Sequence, residues 1–400
     1  MTDHRPVPLS VLDLAPVRAG GTGAEALRAA VARAQLVEQL GYRRVWYAEH
    51  HLAAGVASAA PGVLAALVAG ATSTIRVGSA AVLLGSTSPV VAAEQFGTVA
   101  ALHPGRVDLG LGRASFPPPS VAGGAGSTKD AAPAPRRPRP EPTPERVVDG
   151  LLVPATPPVA FHEGPLLDRI LAQYRFVGAG RTPAPFADEL STVLDVVRGG
   201  ASTDAGRPVS VAAAEGSDLA LWVLASSGGE SARVAGELGL PLAANYHVSP
   251  STVLDTVEQY RAAFRPGVLD EPYVVVSADV LAADTAARAH ELADPFAEWV
   301  LSIRRGEGAI PYPAPGTTTP WSDRPVAEQD LVRDRVDTRF VGTPDEVAAG
   351  LATLARATGA DELLLTTITH DPADTARSYE LVASAWPSTT RSRSLASTTA

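Results

Sequence analysis

The sequence predicts an α/β fold whose parallel strands are covered by helices, and three observations carry that expectation. The first 112 residues alternate short apolar runs with segments of helical spacing. The runs are apolar at nearly every position rather than every second one, the pattern of strands buried on both faces. The chain has 400 residues, 46% hydrophobic and 19% charged, enough for one large barrel-type unit or two modest domains. An open doubly wound sheet and a (β/α)8 barrel both satisfy this rhythm. No GxGxxG follows the first strand, and GLGRA at 110–114 has the wrong spacing for that fingerprint, which weighs against a dinucleotide fold.

VPLSVLDL (7–14) reads as the first strand, followed by a Gly-containing loop at 19–23. From Ala24 to Leu40, the residues Leu27, Ala30, Val31, Ala34, Val37 and Leu40 recur at helical spacing, and Gly41 supplies a stop. RRVWYAE (43–49) is strand-like, 61–71 helical with Pro61 in its first turn, IRVGSAAVLL (75–84) a buried strand, 89–102 a helix and RVDLGLG (106–112) the fourth strand. The stretch at about 115–165 breaks the rhythm with Pro, Gly and Ala and predicts a mobile insertion. Helices at 166–175 and 186–198, a strand at 219–225, a helix at 251–264, a strand at 273–281 and a helix at 284–304 resume it. After an irregular stretch from 306 to about 323 come a helix behind GTPDE (342–346), a strand at 361–368 and a helix at 372–386. The expected organisation is one domain over 1–386, interrupted by the insertion, and a disordered polar tail at 387–400.

There are 33 basic and 43 acidic residues, a net charge of −10, and no basic cluster on a nucleic-acid motif. The absence of cysteine removes disulfides, thiolate chemistry and the commonest structural zinc sites. No signal-peptide run or membrane-span window is present, so a cytoplasmic protein that binds neither membrane nor nucleic acid is expected.

Glu49, His50 and His51 end the second strand. Strand alternation turns His50 away from both neighbours, and no carboxylate at a supporting spacing completes a ligand set, so no metal site is expected. A histidine at the C-terminal end of a parallel strand does stand where α/β folds place their chemistry, and it titrates near neutral pH. GSAA (78–81) and GLGRA end two later strands at the same face. In SSGGES (226–231), small residues lead from a strand into a helix. Backbone N–H groups and serine hydroxyls there suit a phosphate, and they equally suit a plain helix cap by Ser227 or Ser231. For Arg113 the ordinary alternative is a salt bridge across the rim.

The segments GYRRVWYAEHH (41–51), STIRVGSAAVLLGSTSPVVAAEQFGTVAALHPGRVDLGLGRA (73–114), LASSGGESARVAGELGLPLAANYHVSP (224–250), LSIRRGEG (301–308) and VGTPDEV (341–347) together resemble the bacterial luciferase-like family of flavin-dependent oxidoreductases, in its single-chain subgroup. The resemblance implies a (β/α)8 TIM barrel with the insertion after its fourth strand. It implies a monooxygenase that uses reduced FMN, supplied by a separate reductase, and O2. The substrate class is a small apolar molecule, aldehyde-like, aromatic or of secondary-metabolite type. His50 matches the acid/base histidine of the family and Glu49 a carboxylate near the flavin. Ala80–Ala81 matches a non-prolyl cis peptide under the ring, and Arg113 the flavin-contacting arginine. Ser227, Gly228 and Ser231 match the phosphate loop, with Arg169 favoured over Arg146 and Arg175 as a second phosphate arginine. Tyr246 and His247 fall where the family lines its substrate cavity. Relatives imply two other readings, a hydride-transfer enzyme using a deazaflavin (F420) and a non-catalytic flavin-binding protein, and family barrels often pair through helices as homodimers, which the sequence here does not decide. Gly112 replaces the cysteine that light-emitting members carry, so light emission is not expected.

Overall fold

A computed structural model of the chain describes residues 6–113, 143–159, 164–178, 184–203 and 205–387. The elements begin with β1 (Leu9–Asp13), α1 (Gly23–Gln39), β2 (Arg44–Tyr47), α2 (Pro61–Ala71), β3 (Arg76–Ser79), β4 (Val82–Leu83), α3 (Pro89–Leu102) and β5 (Val107–Gly112). Next come β6 (Arg146–Val148), β7 (Leu151–Val153), α4 (Gly164–Phe176), α5 (Phe186–Arg198), β8 (Ala220–Ala225), α6 (Glu230–Glu237), β9 (Leu242–Asn245) and α7 (Val253–Ala263). The C-terminal part holds β10 (Val274–Ala282), α8 (Ala286–Ala293), α9 (Phe296–Arg304), α10 (Val326–Val336), β11 (Phe340–Gly342), α11 (Pro344–Thr358), β12 (Glu362–Thr366) and α12 (Pro372–Ala385).

Eight strands pair in parallel in the order β1-β2-β3-β5-β8-β9-β10-β12, and β12 pairs back onto β1, Leu363 opposite Leu9. The ring is closed, so of the two architectures the rhythm allowed the barrel is the one formed. Local chemistry sets its helices: α1 and α11 each start at a capping box, Thr22 with Glu25 and Thr343 with Glu346. β10 is buried at every position, as a strand with barrel on one side and helices on the other must be.

Alternation divides the strand residues between two environments. Val11, Val45, Val77, Leu109, Val223 and Val276 face outward and pack under the helices. Inward-facing residues fill the barrel in layers. At the N-terminal end of the strands Arg44 is fully buried between Asp108 (2.7 Å) and Glu362 (2.6 Å). Ser10 and Tyr273 also donate to Glu362, while Arg76 and the Trp46 indole donate to Asp108. Burial opposes the charge on Asp108, but Arg76 and Arg44 hold its carboxyl below the usual range. Above this cluster Trp46 and Trp222 meet edge to face at 5.0 Å, with the Arg44 guanidinium 4.6 Å from the Trp222 ring.

Several expectations need correction. The strand expected over 75–84 is two strands, β3 and β4, separated by the Ala80–Ala81 peptide, which is cis. The helix expected at 284–304 breaks into α8 and α9 at Asp294–Pro295, because proline cannot donate within a helix. The short β9, LAAN, completes the ring, but its alanines carried no apolar run strong enough to announce it. Within the stretch assigned to the insertion, 146–153 form an ordered antiparallel hairpin, β6–β7, and Gly164 begins α4. The rest of that stretch at 114–142 and 160–163, and the tail from 388, lie outside the described residues.

Candidate functional site

The C-terminal ends of the barrel strands form a mouth, and the tail of β2 supplies its most constrained loop. Glu49 lies two positions past Tyr47, with its side chain 6% exposed. Its carboxylate accepts from His51 Nε2 at 2.8 Å, from the Leu83 N–H at 3.2 Å and from Ser86 Oγ at 3.1 Å. Glu49 therefore ties the end of β2 to the segment that directly follows Ala81. Glu49 pairs with His51 across His50, and the His50 N–H donates to the Ser58 carbonyl at 2.8 Å.

His50 is solvent-accessible, yet its pKa is lowered to about 4, first by burial, then by His51 and Arg169, against the opposing pull of Glu49. At neutral pH this imidazole is uncharged and can accept a proton.

Ala80 and Ala81 put two small side chains beside this loop, and the Ala80 N–H donates to the Tyr47 carbonyl at 2.8 Å. Two ring positions on from β3, the loop after β8 leads into α6. The N-cap of α6 is Gly229, with no side-chain cap, and among the described residues neither Ser227 nor Ser231 has a side-chain hydrogen-bond partner. The serine-cap alternative is thus absent: the N–H groups of the first turn and two hydroxyls are left available at one place. Gly228 packs against Gln259, where a Cβ would come within 2.5 Å of Nε2. Arg113, one residue past β5, forms an ion pair with Glu230, the first residue of α6. Serine hydroxyls, uncapped amides and an arginine are the donor set that a phosphate monoester needs, so the residues present fit a phosphate-bearing flavin.

The remaining candidates separate. Arg169 projects from α4 toward the β2 end of the ring, three strand positions from the Ser227 loop. Its guanidinium donates to the carbonyls of Leu52 (2.6 Å), His51 (3.4 Å) and Glu307 (3.2 Å), and Gln173 also donates to His51 O at 3.1 Å. Gly308, at φ +76, lies against this guanidinium, and a Cβ there would overlap it. His247 is buried inside the barrel with Nδ1 2.5 Å from Ser277 Oγ; burial, then Arg335 and His50, depress its pKa well below the ordinary value. Tyr246 has other partners: it is 1% exposed, donates to Leu152 O of β7 at 2.7 Å and stacks on Phe340 of β11.

Sequence reasoning passed over Ser86, Gln173, Ser277 and Glu230. Glu230 was inside the quoted SSGGES, and a lone serine in the apolar run of β10 was a signal for Ser277; Ser86 and Gln173 gave none. Among the described residues no group of three or more His, Cys, Asp or Glu side chains could hold a metal, and no helix is long and apolar enough to cross a membrane.

The luciferase-like monooxygenase family model matches residues 7–142 and 186–362. The uncharacterized protein YvbT of Bacillus subtilis (strain 168) is 36% identical, over 94% of this chain and 96% of its own length. A luciferase-like monooxygenase of Escherichia coli (strain K12) is 32% identical, over 95% and 97%. The crystal structure of apo-MsnO8 superposes with a TM-score of 0.72 at 31% identity, over 95% of this chain and 98% of that one. More distant barrels of this fold include the oxygenating constituent of 3,6-diketocamphane monooxygenase from Pseudomonas putida in complex with FMN (TM-score 0.59, 17% identity, 95% and 98% covered). Another is an F420-dependent secondary alcohol dehydrogenase (TM-score 0.54, 13% identity, 96% and 100% covered).

Proposed function

The chain belongs to the luciferase-like monooxygenase family, and from that premise we propose that it is an FMN-dependent monooxygenase acting with O2 on a small apolar organic substrate. The observation that carries this reading is the uncapped start of α6, where Ser227 and Ser231 have no partner among the described residues and Arg113 stands alongside. These groups would hold the cofactor phosphate, and Gly228 keeps the backbone close. Ala80 and Ala81 offer small side chains on which a flat ring can lie. Bound FMN, in its reduced form, would supply the electrons and the centre at which O2 reacts.

The protein's own contribution is positioning, proton handling and exclusion of water. Neutral His50 would take up or return a proton beside the ring, on a loop that Glu49 and Arg169 brace from two sides. His247, held by Ser277, would face the substrate. Trp46 and Trp222 pack against each other as a layer beneath, which helps to keep water out. In this reading a separate reductase delivers reduced FMN in the cytoplasm. A second copy of the chain packs on α2, an uncharged helix that leaves Val63 and Leu67 exposed with Ala66 and Gly70 beside them.

Anaerobic titration of the full chain with reduced FMN and with reduced F420, followed by admission of O2 in the presence of a substrate panel, tests the reading. Micromolar binding of FMN, with O2 consumed and one oxygen atom recovered in product, supports it. Binding of F420 alone, without O2 uptake, replaces it with the hydride-transfer alternative.

A further inference from the structure

We propose that Glu230 is an internal competitor for the cofactor phosphate, weakening its binding so that the flavin remains exchangeable. The inference rests on the flavin reading above and concerns a residue that reading does not use. In the proposed phosphate cradle the donors are Ser227, Ser231, the first N–H groups of α6 and Arg113. Three of these four kinds of contact are free; the arginine is not. Its guanidinium is held by the Glu230 carboxylate, and both side chains are partly exposed, at 45% and 34%.

A phosphate entering the cradle meets two obstacles, both due to the same residue. It must draw Arg113 away from a carboxylate already bound to it, and it comes to rest at the same helix end as that negative charge. A half-exposed ion pair costs little to break, so the effect is a tuning and not a block: about threefold to fivefold in affinity. A carboxylate in the first turn is also what the dipole of α6 favours, so Glu230 holds the helix end ready in the absence of a ligand. When the phosphate arrives it takes over that role as well as the arginine. An enzyme that receives reduced flavin from another protein and gives back the oxidised form needs such reversibility.

Because the competition is for the phosphate, it disappears for a flavin without one. The full chain, Glu230→Gln and the control Glu237→Gln would each be titrated with FMN and with riboflavin by fluorescence quenching. Glu237 lies on the same helix in an exposed pair with Arg233, so its variant removes the same charge away from the cradle. The expected result is FMN binding about threefold to fivefold tighter in Glu230→Gln, with riboflavin binding unchanged and Glu237→Gln within twofold of wild type for both. Unchanged or weaker FMN binding in Glu230→Gln overturns the proposal, as does equal tightening toward riboflavin. Glu230→Asp, with its shorter carboxylate, should fall between wild type and Glu230→Gln and covers a folding defect in either. If wild type binds neither FMN nor riboflavin, the flavin reading itself fails and the competitor role falls with it.

Discussion

Glu49 Oε1 and His51 Nε2 stand 2.8 Å apart across a single intervening residue, and that residue is His50. The same carboxylate reaches over to β4 through the Leu83 N–H and Ser86. Glu49 is therefore a three-way clamp on the loop that presents His50. Glu49→Ala should cost about 1 kcal/mol of stability, since it removes the shared acceptor of three part-buried donors, and it should also weaken FMN binding. Chemical denaturation and a flavin titration check this together; a fully stable variant with unchanged affinity would remove the clamp.

The pKa of His50 gives a pH signature. Its folded value is about 4, below the ordinary 6.5 of the unfolded chain. Unfolding therefore takes up a proton between these values, so the stability this ring contributes is complete above about pH 6.5 and is lost as pH falls through 4. Nitrogen-resolved NMR should show His50 titrating near 4, and the pH dependence of stability in that window should flatten in His50→Asn. A ring titrating at 6.5 or higher would remove this signature. In turnover, His50→Ala should lower the rate by about 10²-fold or more while flavin affinity stays close to wild type.

Removal of the two free hydroxyls tests the phosphate cradle. Hydrogen bonds to a charged group contribute about 1.5–3 kcal/mol each, so Ser227→Ala with Ser231→Ala should weaken FMN by at least about tenfold. Riboflavin affinity should not change. Equal loss for both ligands would move the phosphate elsewhere.

Gly308 faces the Arg169 guanidinium at a positive φ, and both features resist a side chain. Gly308→Ala should lose about 1–3 kcal/mol of stability. It should also disturb the His51–Leu52 carbonyls that Arg169 holds, visible as a shifted His50 resonance. Gly306→Ala serves as the comparison, since its Cβ would meet backbone of α4 instead of Arg169.

Much of this was legible in the chain. The strands β1, β2, β5 and β10 followed from buried apolar runs, and the placing of Glu49, His50 and Arg113 followed from strand ends. β9 was hidden because three of its four residues are small or polar, and what makes it a strand is its pairing with β8 and β10. The break at Ala80–Ala81 could not be read from periodicity, because an alanine pair looks like any buried strand residue. Tyr246 and His247 follow β9 in a turn, and no local signal foretold that one would reach Leu152 of β7 while the other met Ser277. The bond of Arg169 to the β2 loop depends on a helix meeting a distant turn, and no local signal encodes such a meeting.

The cluster around Arg44 has a consequence for how this barrel can change. Arg44→Ala would leave Asp108 and Glu362 buried without their shared cation, at a cost of about 3–5 kcal/mol, measurable as a shifted denaturation midpoint. Among the described residues, His247 and the Ala80–Ala81 pair at the opposite end take part in no ion pair, and His247 is held by a hydrogen bond to Ser277. The Trp46–Trp222 layer thus separates a rigid foundation from a workshop above it. New substrates can be accommodated by rebuilding the upper storey alone, and a combinatorial library confined to the residues above those two indoles should return folded proteins far more often than one that reaches below them.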